Sequence, residues 1–306
     1  MQNRPQANST ALTIPELAGS YRRQLLAEAK APKTLLAYMS ALDVLCQWLT
    51  ARGRTLKIDT ITRADIQEFV ADQLKGHKPA TASNRFRSLK TFFRWAVTEG
   101  ELAVSPMEGM TPPKIPETPP SVLNEQDIKA LLKACSGNSF EDIRDLAIIR
   151  LFLATGCRRA EITGLTLADV DLDNQVITVT GKGSRIRAVP FGAEAVRCLD
   201  RYIRARMRHR DSRLPDLWLG HSGAMTDSGL YQVVRDRACA AGIGHVYLHQ
   251  LRHTWAHRGL AKGMNEGDMM RLAGWRSRQM VSRYGASAAD ERAHDAYHKH
   301  DPMEGL

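Results

Sequence analysis

Six residues in the last two-thirds of the chain have the types needed to work on a phosphate ester. Arg158 lies in TGCRRAEITGL and Lys182 in VTGKGSRIRAVPF. His249 and Arg252 lie in LHQLRHTWA, and Trp275 and Tyr284 in LAGWRSRQMVSRYG. Cleaving a phosphodiester calls for positive charge on the non-bridging oxygens, a nucleophile, and a proton for the leaving oxygen. Arginine supplies that charge best, because its planar fork grips phosphate oxygens in pairs and stays ionised. Arg158 and Arg252 are therefore the candidate clamps. Arg159 competes with Arg158, but Glu161 three residues on favours Arg158. His249 and Arg252 stand three apart, so on a helix they share a face. An imidazole moves protons near neutral pH. A phenol, with a pKa near ~10, is a poor nucleophile until a base or nearby cations activate it. Taken singly, each residue has an ordinary reading: an arginine paired with Glu161 or Asp169, an exposed lysine, a surface histidine, a core tryptophan. Their joint order is what demands a common explanation.

In order and spacing, the six residues resemble the active site of the tyrosine recombinase, or phage integrase, family, enzymes that cut and rejoin DNA through a phosphotyrosine. The match is carried by Thr-Gly-x-Arg158 with Glu161, by His249-x-x-Arg252 followed by His-Thr-Trp-Ala, and by Tyr284 nine positions beyond Trp275. It runs from about Ala11 to Tyr284 and is strongest from Leu151 onward. The resemblance implies that Tyr284 attacks the scissile phosphate, leaving a 3′-phosphotyrosyl link and a 5′ hydroxyl, and that Lys182 protonates the departing 5′ oxygen. Trp275 stands where most members carry a second histidine. Its indole N–H donates one hydrogen bond but shuttles no proton, which leaves packing and a phosphate contact as its roles. Tyr247 and Tyr297 are rival tyrosines, and neither has the right relation to Trp275. The resemblance further implies no metal and no nucleotide cofactor, since the covalent link stores the bond energy. Gly181-Lys182-Gly183 is no phosphate-binding loop: Val176 takes the place of the first glycine, and Gly183 follows the lysine where Ser or Thr is needed. The implied partners are a duplex recombination site and three further copies of the chain, a homotetramer on two DNA sites.

The elements that must position these residues fall on either side of TPPKIPETPP, residues 111–120. Five of its ten residues are proline, which stops helices and favours an extended linker. Residues 1–110 read as all-helical. Leu35, Tyr38, Leu42, Leu45 and Leu49 recur at helical spacing, as do Ile66, Phe69, Val70 and Leu74, and then Phe86, Leu89, Phe93 and Val97. The third helix carries Arg87, Lys90 and Arg94 on another face. Alone they read as a solvated polar face; beside the six residues they become candidate DNA contacts. Residues 121–306 begin with a helical pattern over 124–132 and a longer apolar helix over 142–153 that stops at Thr155-Gly156. Val176 to Thr180 and Arg185 to Phe191 alternate as strands around GKGS, predicting a β-hairpin with Lys182 at its tip. Everything after about Gly192 again reads as helical.

The expected fold is thus mainly α with a small β-sheet. The resemblance casts it as a two-domain C-shaped clamp: a helical, SAM-like core-binding domain at 1–110, a linker at 111–120, and an α/β catalytic domain at 121–306. Ala289, Ala293, Ala296 and Tyr297 recur at helical spacing in the tail, which is expected to pack on a neighbouring protomer. Because the core-binding pattern starts almost at once, no separate arm-site-binding domain is expected.

The 306 residues carry a formal net charge of +10, which suits a polyanionic partner through Coulomb attraction and counterion release. Five scattered cysteines form no Cys-x-x-Cys pair, and the polar N-terminus lacks the apolar stretch of a secretory signal, so a cytoplasmic protein is expected. The run IIRLFLATG is too short to span a bilayer. His245, His249, His253 and His257 recur every fourth residue, but with no Glu or Cys among them they are a weak metal motif. Two alternatives stay open: a type IB topoisomerase, which would relax a plasmid bearing no recombination site, and a non-catalytic DNA-binding regulator, which would not need Tyr284.

Overall fold

The computed structural model describes residues 11–116, 120–181, 185–282, 297–298 and 303. The chain divides into two compact units, Met1–Glu117 and Thr118–Leu306. Most of the predicted tail lies outside the described residues.

The first unit is helical: α1 (Ile14–Ala27), α2 (Pro32–Ala51), α3 (Arg63–Gly76) and α4 (Pro79–Thr98). Local chemistry sets their starts. Thr13 with Glu16, and Thr62 with Asp65, form capping boxes at α1 and α3. Prolines lie in the first turn of α1, α2 and α4, where the missing N–H costs nothing. By length and apolarity α2 could cross a membrane, but Leu35, Leu42, Leu45 and Leu49 are buried in the unit's core. There Tyr21 meets the edge of Phe92 at 5.3 Å and Trp48 meets Phe69 at 5.7 Å. Helix α4 buries Phe86, Leu89, Phe92 and Phe93. Its exposed side presents Arg87, Lys90 and Arg94, which line one groove with Val97, Val104 and Met107. Lys90 Nζ donates to the Met110 carbonyl at 2.6 Å.

The second unit is built around α6 (Phe140–Thr155), whose Ala147, Ile148, Ile149, Leu151 and Phe152 are all fully buried. Helix α5 (Glu125–Lys133) precedes it and the short α7 (Arg159–Thr163) follows. A three-stranded antiparallel sheet has the order β1 (Val170–Asp171), β2 (Val176–Gly181), β3 (Arg185–Pro190). The predicted hairpin is β2–β3, in register from Val176↔Pro190 to Gly181↔Arg185. In β2, Ile177 and Val179 face the core while Thr178 and Thr180 face out. Among the described residues, four further helices follow: α8 (Ala193–Arg206), α9 (Asp227–Ala240), α10 (Leu248–Ala261) and α11 (Glu266–Ala273).

The region after Gly192 is less uniformly helical than its pattern suggests. Between α8 and α9 the chain runs irregularly around the side chain of Arg206, which is 2% exposed. Arg206 donates to the carbonyls of Ser212, Leu214, Asp216 and Leu217 at 2.6–3.2 Å. A buried guanidinium is tolerated when its N–H groups are satisfied in this way. His245 also departs from expectation: it precedes α10, so the four histidines do not lie along one helix.

Gly156 ends α6 in the left-handed conformation, φ 59°. A Cβ there would lie 2.3 Å from the Trp255 ring of α10. Gly156→Ala should therefore cost about 2–5 kcal/mol in urea unfolding, combining left-handed strain with overpacking. Gly242→Ala has the same sign of φ (69°) but open space around it, so it should lose only about 1–2 kcal/mol. Equal losses would mean that the Trp255 contact is not what forbids a side chain at 156.

Candidate active site

Four of the six sequence-predicted residues are described, and the fold gathers them where α7, α10 and the end of α11 meet. Lys182 and Tyr284 lie outside the described residues. The hairpin pairing at Gly181↔Arg185, and Ser282, are the nearest described features in sequence.

Arg158 caps the N-terminus of α7. Its backbone N–H donates to Glu161 Oε2 at 2.7 Å and its Nη1 to Glu161 Oε1 at 2.8 Å. Its Nη2 donates to the Gly274 carbonyl at 3.0 Å. These bonds occupy two of the five guanidinium N–H groups, and the side chain is 39% exposed. Arg158 is thus tethered with donors to spare at an open face.

Arg252 on α10 is only 1% exposed. Its Nη1 donates to the Gly156 carbonyl at 2.6 Å and its Nη2 to the Ala273 carbonyl at 2.7 Å. The two guanidinium groups are therefore anchored on consecutive carbonyls, Ala273 and Gly274. Gly274 turns the chain left-handed at the end of α11, φ 64°. That turn presents these carbonyls at the negative end of the helix, where cations are favoured. Trp275 comes next, buried among Trp255, Met269 and Val281, with its ring centroid 5.1 Å from Arg252 Cζ. The indole thus packs and makes a cation–π contact.

His249 lies three residues before Arg252, its ring 4.5 Å from that of His253 in a T-shaped contact. Its imidazole pKa is lowered from 6.5, first by burial of the ring's surroundings, then by the charges of Arg252 and Arg158. The neutral form, able to accept a proton, is favoured at neutral pH. Cys157, buried beside Arg158, has its thiol pKa raised chiefly by desolvation and so remains a thiol rather than a rival nucleophile. Arg87, Lys90 and Arg94 share one exposed face in the first unit, apart in sequence from all of these.

Sequence reasoning missed one residue at this site. Arg187 on β3 sends Nη1 and Nη2 to the two oxygens of Glu161 at 2.9 and 2.8 Å, and Nε to the Leu272 carbonyl at 2.7 Å. Burial alone would raise the Glu161 carboxyl, but hydrogen bonds from Arg187 and the Arg158 backbone hold it below the ordinary range. A signal for Arg187 existed. It sits two residues before the buried Val189, on the inward side of the strand, while Ile186 just before it is 72% exposed. The expected alternation is reversed at Ile186 and Arg187.

Comparison with known proteins follows this geometry. The phage integrase family matches residues 121–291, and the N-terminal SAM-like domain of phage integrases matches residues 19–100. The chain is 33% identical over 233 residues to the tyrosine recombinase XerC of Corynebacterium glutamicum, covering 74% of each chain. It is 32% identical over 283 residues to the tyrosine recombinase XerD of Ralstonia nicotianae, covering 90% of this chain and 91% of that one. In fold it is similar to the Tn1549 transposon integrase in complex with transposon right end DNA. The TM-score is 0.75 at 21% identity, covering 94% of this chain and 99% of that one.

Proton NMR should place the His249 midpoint below 6.5. Arg158→Gln, which removes one of the two cations, should move it upward. A wild-type midpoint at or above 6.5 would contradict the environment described here.

Proposed function

The chain belongs to the phage integrase family of tyrosine recombinases, and on that premise we propose that it exchanges strands between two copies of a specific duplex DNA site, with Tyr284 as nucleophile. The observation that carries this reading is the anchoring of Arg158 and Arg252 on consecutive carbonyls, Ala273 and Gly274, immediately before Trp275 and ten residues before Tyr284. Two guanidinium groups held in this way form a fork for the non-bridging oxygens of one phosphate.

In the proposed reaction Tyr284 Oη forms a bond to phosphorus as the bond from phosphorus to the 5′ oxygen breaks. His249 accepts the phenolic proton, and Lys182 gives a proton to the departing oxygen. A phosphodiester is exchanged for a phosphotyrosyl diester, so no external energy source enters. The 5′ hydroxyl of a partner strand then attacks the link, with the proton transfers reversed, and frees Tyr284. Integration, excision and multimer resolution share this chemistry and differ in where the two sites lie.

In this reading residues 1–110 are the core-binding domain, 111–120 the linker and 121–306 the catalytic domain. Arg87, Lys90 and Arg94 contact backbone phosphates, and four protomers act on two sites. Their common exposed face on α4 supports the phosphate role, as does the net charge of +10.

A nicked suicide duplex bearing the site should trap a covalent adduct with the wild type and none with Tyr284→Phe; an adduct formed by the Phe variant would sink the assignment. Wild type should leave a plasmid without the site supercoiled, whereas a topoisomerase would relax it. Replacing Arg87, Lys90 and Arg94 together with Gln should lower the slope of log K against log salt by about 2–3. An unchanged slope removes those residues from the DNA interface.

A further inference from the structure

We infer that Arg187 is a positioning residue for strand cleavage, tying together the three chain segments that carry the reacting groups. This rests on the recombinase reading above and deepens it. Arg187 touches α7 through both oxygens of Glu161, the same carboxylate that holds the backbone N–H and Nη1 of Arg158. It touches the last turn of α11 through the Leu272 carbonyl, one residue before the carbonyl that anchors Arg252. It belongs to the strand that follows Lys182, where it pairs with Val179. One side chain therefore joins the arginine box, the hairpin, and the segment leading through Trp275 towards Tyr284.

The geometry separates Arg187 from Arg158. All three side-chain nitrogens of Arg187 are committed to protein acceptors, and the side chain is 15% exposed, against 39% for Arg158. Its guanidinium lies so close to residue 274 that a Cβ there would be 3.2 Å from Arg187 Cζ and 3.4 Å from Arg158 Nη1. Glycine at 274 permits both the left-handed turn and this approach. Glu161 cannot hold Arg158 in place unless its own position is fixed, and the two-pronged bond from Arg187 fixes it. Lysine offers a point charge in place of a fork and cannot reproduce that bond.

The test uses the full-length protein on the nicked suicide duplex, with single-turnover cleavage rate, site affinity by gel shift and melting temperature measured together. Arg187→Met should slow cleavage about 10²-fold, the scale of a small misplacement of reacting groups, while affinity changes less than about threefold. Arg187→Lys, which keeps the charge, should recover only part of the rate. The double variant Glu161→Gln/Arg187→Met removes the buried charge together with its partner; it should recover melting temperature but not rate. The inference is overturned if Arg187→Met or Arg187→Lys cleaves within about twofold of wild type, if rate and affinity fall in parallel, or if the double variant regains the rate. Should Arg187→Met fail to fold, Arg187→Lys decides by the same rate criterion. A wild type that forms no adduct overturns the recombinase reading and this inference with it. A wild type that cleaves beside an equally fast Arg187 variant overturns the inference alone.

Discussion

Two guanidinium groups cannot be brought to one place without something to hold them, and here the holder is the backbone at the end of a helix. The final carbonyls of α11 have no partner within the helix, and they sit at its negative pole. Ala273 and Gly274 turn that deficit into two adjacent acceptors, one for Arg252 and one for Arg158. The rest of the site depends on this arrangement. It sets the separation of the two cations, and it fixes where the chain departs towards Trp275. The energetic logic is that of charges oriented in advance, which would need little reorganisation to meet an anion.

Glu161 answers the remaining problem, the mutual repulsion of Arg158, Arg187 and Arg252. A buried carboxylate is costly by itself, and Glu161 is 6% exposed. Its bonds from two arginines offset that cost and keep it ionised. The pair of opposing effects explains how so polar a cluster is accommodated between a sheet and two helices.

Much of this was legible in the sequence because it depends on local rules. The hairpin followed from alternation on either side of a glycine-containing turn, the end of α6 from Thr155-Gly156, and three helices of the first unit from apolar spacing. His249 and Arg252 share a face because they lie on one helix three residues apart. What stayed hidden depends on tertiary contact. Arg206 lies among other arginines near the end of α8 and reads as solvent-facing, but it is buried by a loop whose carbonyls it satisfies. Arg187 looked like one more basic residue on a hairpin. Only the burial of Val189, two positions on, reveals which side of the strand it occupies. The role of the Gly274 carbonyl has no sequence signature at all, since every residue has a carbonyl and only the fold determines which one an arginine meets.

Helix α10 belongs to two apolar clusters at once. Leu248 and Leu251 lie in the main core with α6 and the sheet, whereas Trp255, Ala256 and Leu260 lie in a smaller cluster with α11 and Trp275. The boundary falls within one turn of Arg252. The two ends of this rod therefore answer to different cooperative units, and the smaller has less apolar surface to defend it. Loosening of the small cluster would withdraw Ala273 and Gly274 while the main core stayed intact. The carbonyls that anchor Arg158 and Arg252 thus hang on the smaller unit, so the pairing of the two guanidinium groups would be given up before the shape of the whole.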